Sequence, residues 1–400
     1  MRPEIGLLTG LRGIAAYSVL IAHGLDVSFS YSGTLSVFHP LASRLAYFGM
    51  TLFFVLSGFV IFYNYADSFA ERPFRYALWD FVAARFARLY PLYALSLLMT
   101  MSYLPSPFFA HDAGTVIAYA TLTQSWFNLQ DAMFSPDWSI STEWFFYLVF
   151  VLIVLPVRIL TRRAARIVFI TLLLVAPVVI AVIFSEDKSL VQTFKPIFFH
   201  GDKVSTDLWF WLTYFNPYLR ALEFVAGMLS AKVMLELHRT PLTPHVGSII
   251  LACCVGACAI VLLIPAISDH GHVALVLPNF LFAPAISIFI CYCPRQEGVM
   301  KRLLESRPLM FMGEISYSVY IWCWFAITLM APQFVSPSES PLAYLNSFIK
   351  LILIVGITTV FAIGSYRAVE VPCRNWLRSK LGQKPAGPTR ESRGQAAAVA

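Results

Sequence analysis

Arg12 and His23 interrupt an otherwise apolar run near the start of the chain, eleven residues apart. On a helix that spacing is about three turns, so both side chains share one face, roughly 16 Å apart. A neutral imidazole accepts a proton from a hydroxyl and later returns it. An arginine does not titrate and suits an anion. Two carboxylates are candidate partners for His23. Asp26 lies one turn beyond it, and Glu143 closes the segment Trp138-Ser139-Ile140-Ser141-Thr142-Glu143. Ser139 and Ser141 offer hydroxyls to a polar acceptor. The same segment also reads as a helix start, with a serine cap and Glu143 against the helix dipole.

Arg85 and Arg88, one turn apart before Leu89-Tyr90-Pro91, form a clamp suited to phosphate. They also fit ordinary cytoplasmic loop charge. Arg220 and Glu223 have i,i+3 spacing in an apolar stretch. An ion pair there needs no further purpose, and both are candidate acceptor-binding residues. Tyr317 stands at the end of one apolar run, and Tyr366, Arg367 and Glu370 at the end of another. Glu370 before Pro372 reads as a helix end. Two groups emerge. Arg12, Arg85, Arg88, Tyr317 and Arg367 make a group of net basic character that faces the cytoplasm. His23, Glu143, Arg220 and Glu223 carry acid–base capacity farther out. An anionic ligand then enters from the inside, and chemistry occurs toward the outside.

The elements that must position these groups are membrane helices. The chain has 400 residues, of which 58% are hydrophobic and 13% charged, with mean hydropathy +0.70. A soluble domain carries about 25% charged residues. The apolar runs predict an all-α polytopic bundle of about ten spans. They lie near 6–25, 45–64, 88–104, 143–160, 167–184, 216–236, 247–267, 272–293, 310–330 and 346–366. The stretch 115–130 reads as a re-entrant or interfacial helix.

Most of the 29 basic residues fall on one side if both termini are cytoplasmic, with Arg44, Lys188, Lys195 and Lys203 opposite. The net charge of +7 therefore tracks topology. It points to membrane lipid and not to nucleic acid. The N-terminus reads as a retained first span and not as a signal peptide. Residues 1–380 form one membrane domain, and 381–400 read as a disordered cytoplasmic tail. The seven cysteines sit in apolar runs or near the C-terminus, so no disulfide and no metal site is expected. The residues imply no particular oligomeric state.

These segments resemble the acyltransferase family 3 membrane proteins, which include bacterial O-acetyltransferases of O-antigen, exopolysaccharide and Nod factor. The resemblance spans about residues 5–380. It rests on Leu11-Arg12-Gly13 through His23, on Phe53-Phe54-Val55-Leu56-Ser57-Gly58-Phe59, and on Arg85 through Pro91. It continues with Trp138 through Glu143, Arg220-Ala221-Leu222-Glu223-Phe224-Val225-Ala226-Gly227 and Gly313-Glu314-Ile315-Ser316-Tyr317-Ser318-Val319-Tyr320. Tyr366 and Glu370-Val371-Pro372 close it. One departure stands out: Trp322-Cys323 occupies the place where the family usually has Trp-His.

The resemblance implies transfer of an acyl group, usually acetyl from cytoplasmic acetyl-CoA, to a carbohydrate hydroxyl at the outer face of the bacterial inner membrane. Arg12 and His23 would be essential, and Arg12, Arg85, Arg88 and Tyr317 would hold the acyl-CoA. A lipid-linked glycan is an alternative acceptor, approached through Ser139, Ser141, Arg220 and Glu223. The competing class is a transporter or flippase for a lipid-linked sugar or an anion, which buried charges also fit.

Overall fold

The computed structural model describes residues 5–29, 38–103, 113–127, 137–161, 163–165, 167–169, 171–172, 211–237, 244–263, 272–330 and 341–380. The tail 381–400 lies outside the described residues. Among those described, every regular element is helical. The long helices are α1 (Gly6–Phe29), α2 (Phe38–Glu71), α3 (Phe74–Tyr103), α5 (Trp138–Ile159), α6 (Pro217–Leu237), α7 (Pro244–Leu263), α8 (His272–Tyr292) and α12 (Pro341–Ser365). Shorter ones are α4 (Ala113–Ala120), α9 (Val299–Leu304), α10 (Arg307–Glu314), α11 (Ser316–Met330) and α13 (Val371–Lys380).

Among the described residues, six helices are long and apolar enough to cross a membrane: Gly6–Phe29, Pro40–Glu71, Phe74–Met99, Trp138–Ile159, His245–Leu263 and Tyr344–Lys380. Leu281–Arg295 and Ser316–Met330 are shorter apolar helices. Most of the expected span 167–184 lies outside the described residues. The expected span 216–236 is α6, whose Arg220, Glu223, Lys232 and Glu236 keep it out of the apolar set. Backbone hydrogen bonding explains the preference for helix, because hydrocarbon offers no other partner for the peptide groups.

Several expected boundaries are corrected. Arg85 and Arg88 do not lie in a loop but in the middle of α3, which runs on through Pro91. The expected span 310–330 is two helices, broken at Ile315. Glu370 does not end a helix. A π-helical turn, Tyr366–Glu370, passes directly into α13. Pro372 lies just after that turn, inside one continuous helical run, Tyr344–Lys380.

The bundle is centred on α1 and α2. Helix α1 packs on α2, α10, α11 and α12, and α2 packs on α6, α8 and α5. Small residues make the closest crossings. A Cβ on Gly58 would overlap the Phe224 carbonyl oxygen, and one on Gly227 would overlap that of Val55. In the same way, a Cβ on Gly13 would come within 2.8 Å of the Gly313 nitrogen. Membrane helices without a hydrophobic drive toward one another gain most from such close backbone contact.

Candidate active site

Helices α1, α2, α3, α5 and α11 enclose a cavity into which Arg12, Arg85, Arg88, Ser139, Glu143 and Tyr317 project. Ser57, Ser316 and Tyr320 also line it. Each arginine has a different setting. Arg12 donates from Nη2 to Thr9 Oγ1 at 2.9 Å, one turn earlier on α1. Arg85 is 8% exposed, donates to the Tyr65 hydroxyl at 3.2 Å, and lies 5.3 Å from that ring's centroid. Its Nε is buried without an acceptor. Among the described residues Arg88 makes no hydrogen bond and no ion pair. A guanidinium presented this way to a cavity is suited to an anion.

Glu143 Oε1 accepts two hydrogen bonds, from Ser57 at 3.1 Å and from Tyr147 at 2.9 Å. Its second oxygen has no partner among the described residues. Glu143 thus belongs with the arginines and not with His23, which corrects the sorting of the two groups by side. Charge periodicity does not reveal this, because the crossing of α5 over α2 decides it.

His23 lies beyond the cavity lining, farther along α1. Its ring meets Trp324 of α11 edge-on at 5.6 Å. Asp26 is the carboxylate in electrostatic reach of it. Among the described residues His23 has no hydrogen-bond partner.

Ser139 and Ser141 are not helix caps. The first turn of α5 has Asp137 at its N-cap and no side-chain capping bond. Ser139 donates to the Tyr320 hydroxyl at 2.7 Å, on the cavity wall. Ser141 is fully buried and accepts from the Ser125 hydroxyl at 2.8 Å and the Ser125 N–H at 3.2 Å. It fastens a 3-10 turn, Gln124–Phe127, to α5 and does not reach the cavity.

Arg220 and Glu223 form a brace away from the cavity. Arg220 Nη1 donates to Glu223 Oε1 at 2.8 Å, Thr51 donates to the same oxygen at 3.0 Å, and Arg220 Nε donates to the Tyr214 carbonyl at 2.9 Å. These bonds join α6 to α2 and to the π-helical turn Trp211–Phe215.

Tyr317 donates to the Leu89 carbonyl at 2.6 Å, tying α11 to α3 beside the arginine pair. Glu370 accepts from Ser318 at 2.8 Å. Arg367 is exposed on the π turn. Cys323 is 3% exposed in an apolar cluster with Ala16, Leu20 and Ile354. Sequence reasoning missed Tyr65, Tyr147 and Tyr320. Tyr147 carries one usable signal, its i+4 spacing from Glu143.

A model of the acyltransferase domain family matches residues 5–367. The chain belongs to this acyltransferase family. Its members transfer acyl groups, so the chain is a membrane-embedded transferase and not the transporter weighed from sequence.

Three relatives illustrate the family. The chain is similar to acyltransferase MdmB of Streptomyces mycarofaciens, 26% identical over 78% of this chain and 76% of that one. It is similar to the exopolysaccharide production protein ExoZ of Rhizobium meliloti, 25% identical over 71% and 77%. It is also similar to the peptidoglycan O-acetyltransferase OatA of Listeria monocytogenes, 23% identical over 93% of this chain but 56% of that protein. The chain therefore spans little more than half the length of that relative. No solved structure matches the chain.

Proposed function

We propose that this protein moves an acyl group, acetyl in the first instance, from acyl-CoA to a hydroxyl of a cell-surface or lipid-linked carbohydrate in a bacterial inner membrane. Arg12, Arg85 and Arg88 hold the donor's phosphates, and both chain termini lie on that cytoplasmic side. The pantetheine arm runs along α1 toward His23, roughly 16 Å away by helix rise. His23 takes the proton of the acceptor hydroxyl, whose oxygen attacks the thioester carbonyl. The carbon–sulfur bond breaks, and the departing thiolate collects the proton from the imidazolium. Asp26 stabilises that imidazolium.

The observation that carries this reading is one helix with two chemistries. Its Arg12 enters a cavity shared with Arg88, and among the described residues Arg88 has no ion pair and His23, farther along, has no hydrogen bond. Two relatives named for exopolysaccharide production and peptidoglycan O-acetylation support a glycan acceptor. The test is transfer from labelled acetyl-CoA in membrane vesicles. His23→Ala should abolish it, and undiminished transfer would remove His23 from the mechanism. Mass spectrometry of surface glycans, with and without the protein, tests the acceptor class.

A further inference from the structure

Two arginines stand outside every motif described above. Arg374 and Arg378 lie four residues apart on α13, on one helix face. Helix α13 packs against α3, which carries Arg85 and Arg88. Arg378 is within electrostatic reach of Arg374, Arg85 and Arg88, and of Tyr65, the residue that also receives the Arg85 hydrogen bond. Glu370 is within reach of Arg12, Arg88 and Arg374.

Five guanidiniums therefore converge from α1, α3 and α13. Carboxylates accompany them: Glu314 is within electrostatic reach of Tyr366, which accepts from Arg374, and two others are engaged. Glu370 accepts from Ser318 and lies 3.7 Å from Arg374, while Glu143 accepts from Ser57 and Tyr147. Arg378, like Arg88, has no ion pair among the described residues. The Nε groups of Arg374 and Arg378 are buried without an acceptor. Like charges within electrostatic reach of one another repel, and a multivalent anion is the counter-charge that removes the repulsion.

We propose that Arg374 and Arg378 form a phosphate-binding extension of the cavity, engaging a phosphate group that Arg85 and Arg88 do not reach. Two sources share that chemistry. One is the 3′-phosphate of coenzyme A, which rests on the acyl-CoA reading above. The other is the phosphate of an anionic lipid headgroup, which does not.

The experiment uses the full chain in lipid nanodiscs, with coenzyme A and 3′-dephospho-coenzyme A as probes. The wild type should bind coenzyme A about tenfold more tightly than the dephospho form, the worth of one charge-assisted phosphate contact. Arg378→Gln should lose that preference and Arg378→Lys should keep most of it. Arg378 has no ion pair among the described residues, so the glutamine variant is expected to fold. A second arm compares discs of phosphatidylcholine with discs containing phosphatidylglycerol. A thermal midpoint that rises with phosphatidylglycerol in the wild type, but not in Arg378→Gln, assigns the site to lipid phosphate. Equal responses of wild type and variant to both the 3′-phosphate and phosphatidylglycerol would overturn the proposal. A wild type that binds neither form of coenzyme A but retains the lipid response would defeat the donor assignment and leave the phosphate site standing.

Discussion

Ser57 of α2 donates to Glu143 of α5 across 3.1 Å, and this bond holds the carboxylate over the arginine cavity. Glu143→Gln retains an oxygen in place of Oε1 to accept from Ser57 and Tyr147, and deletes only the charge. Removing a negative charge beside three guanidiniums should tighten binding of an anionic donor roughly fivefold, the worth of about 1 kcal/mol of screened Coulomb energy. The effect should fade at high salt. Donor affinity measured against ionic strength checks this. Weaker binding would mean that Glu143 contacts the donor directly.

His23 and Asp26 are separable from donor binding. Asp26→Asn should lower acyl transfer about tenfold by removing the charge that steadies the imidazolium. Acyl-CoA affinity should stay at the wild-type value, because Asp26 is not among the cavity residues. Parallel binding and single-turnover transfer measurements distinguish the two. A matching loss of affinity would count against a division of labour along α1.

Gly58 and Gly227 are expected to be intolerant of a single methyl group. Alanine at either position meets the facing helix's backbone carbonyl, and overpacking of this kind costs about 1–3 kcal/mol or more. Gly356 has open space where its Cβ would go. Alanine there should be neutral or stabilise the helix by up to about 1 kcal/mol. Thermal melts of the three variants in detergent test the contrast, and equal melting temperatures would refute it.

The Arg220–Glu223 pair, with side chains 3% and 1% exposed, should behave as a brace and not as a ligand site. Arg220→Ala strands a buried carboxylate and should cost about 3–5 kcal/mol. Glu223→Gln should cost less, because Thr51 retains an acceptor. Yield of folded protein and melting temperature report this. A normally stable Arg220→Ala enzyme with weakened acceptor use would reverse the assignment.

Composition and apolar runs made the helical membrane architecture legible, and the spacing of Arg85 and Arg88, with Arg12 on the same side, pointed to an anionic ligand. Which residues meet across helices was not legible. Glu143 and Ser141 are two residues apart in sequence. One enters the cavity, while the other fastens a 3-10 turn, because nearby positions on a helix point in different directions and their neighbours come from elsewhere in the chain. Arg220 and Glu223 look like a site by the rarity of charge in apolar runs, yet Thr51 and the Tyr214 carbonyl complete them as a joint. Arg374 and Arg378 escaped notice because a polar, basic segment after an apolar run is ordinary. Only the packing of α13 onto α3 gives them a neighbourhood.

The π turn between α12 and α13 sets the rotational phase of the C-terminal helix. A wider turn amounts to one extra residue relative to a uniform α-helix, and one residue rotates the next helix by about 100°. The face bearing Arg374 and Arg378 meets α3 only at the phase that Tyr366–Glu370 supplies. Deleting one residue within that turn would straighten the helix and swing both guanidiniums a quarter-turn away, with the apolar length of α12 unchanged. The bundle buried in lipid and the charged mouth are therefore joined by an angular setting, one that point substitutions cannot readily change but a single-residue deletion can.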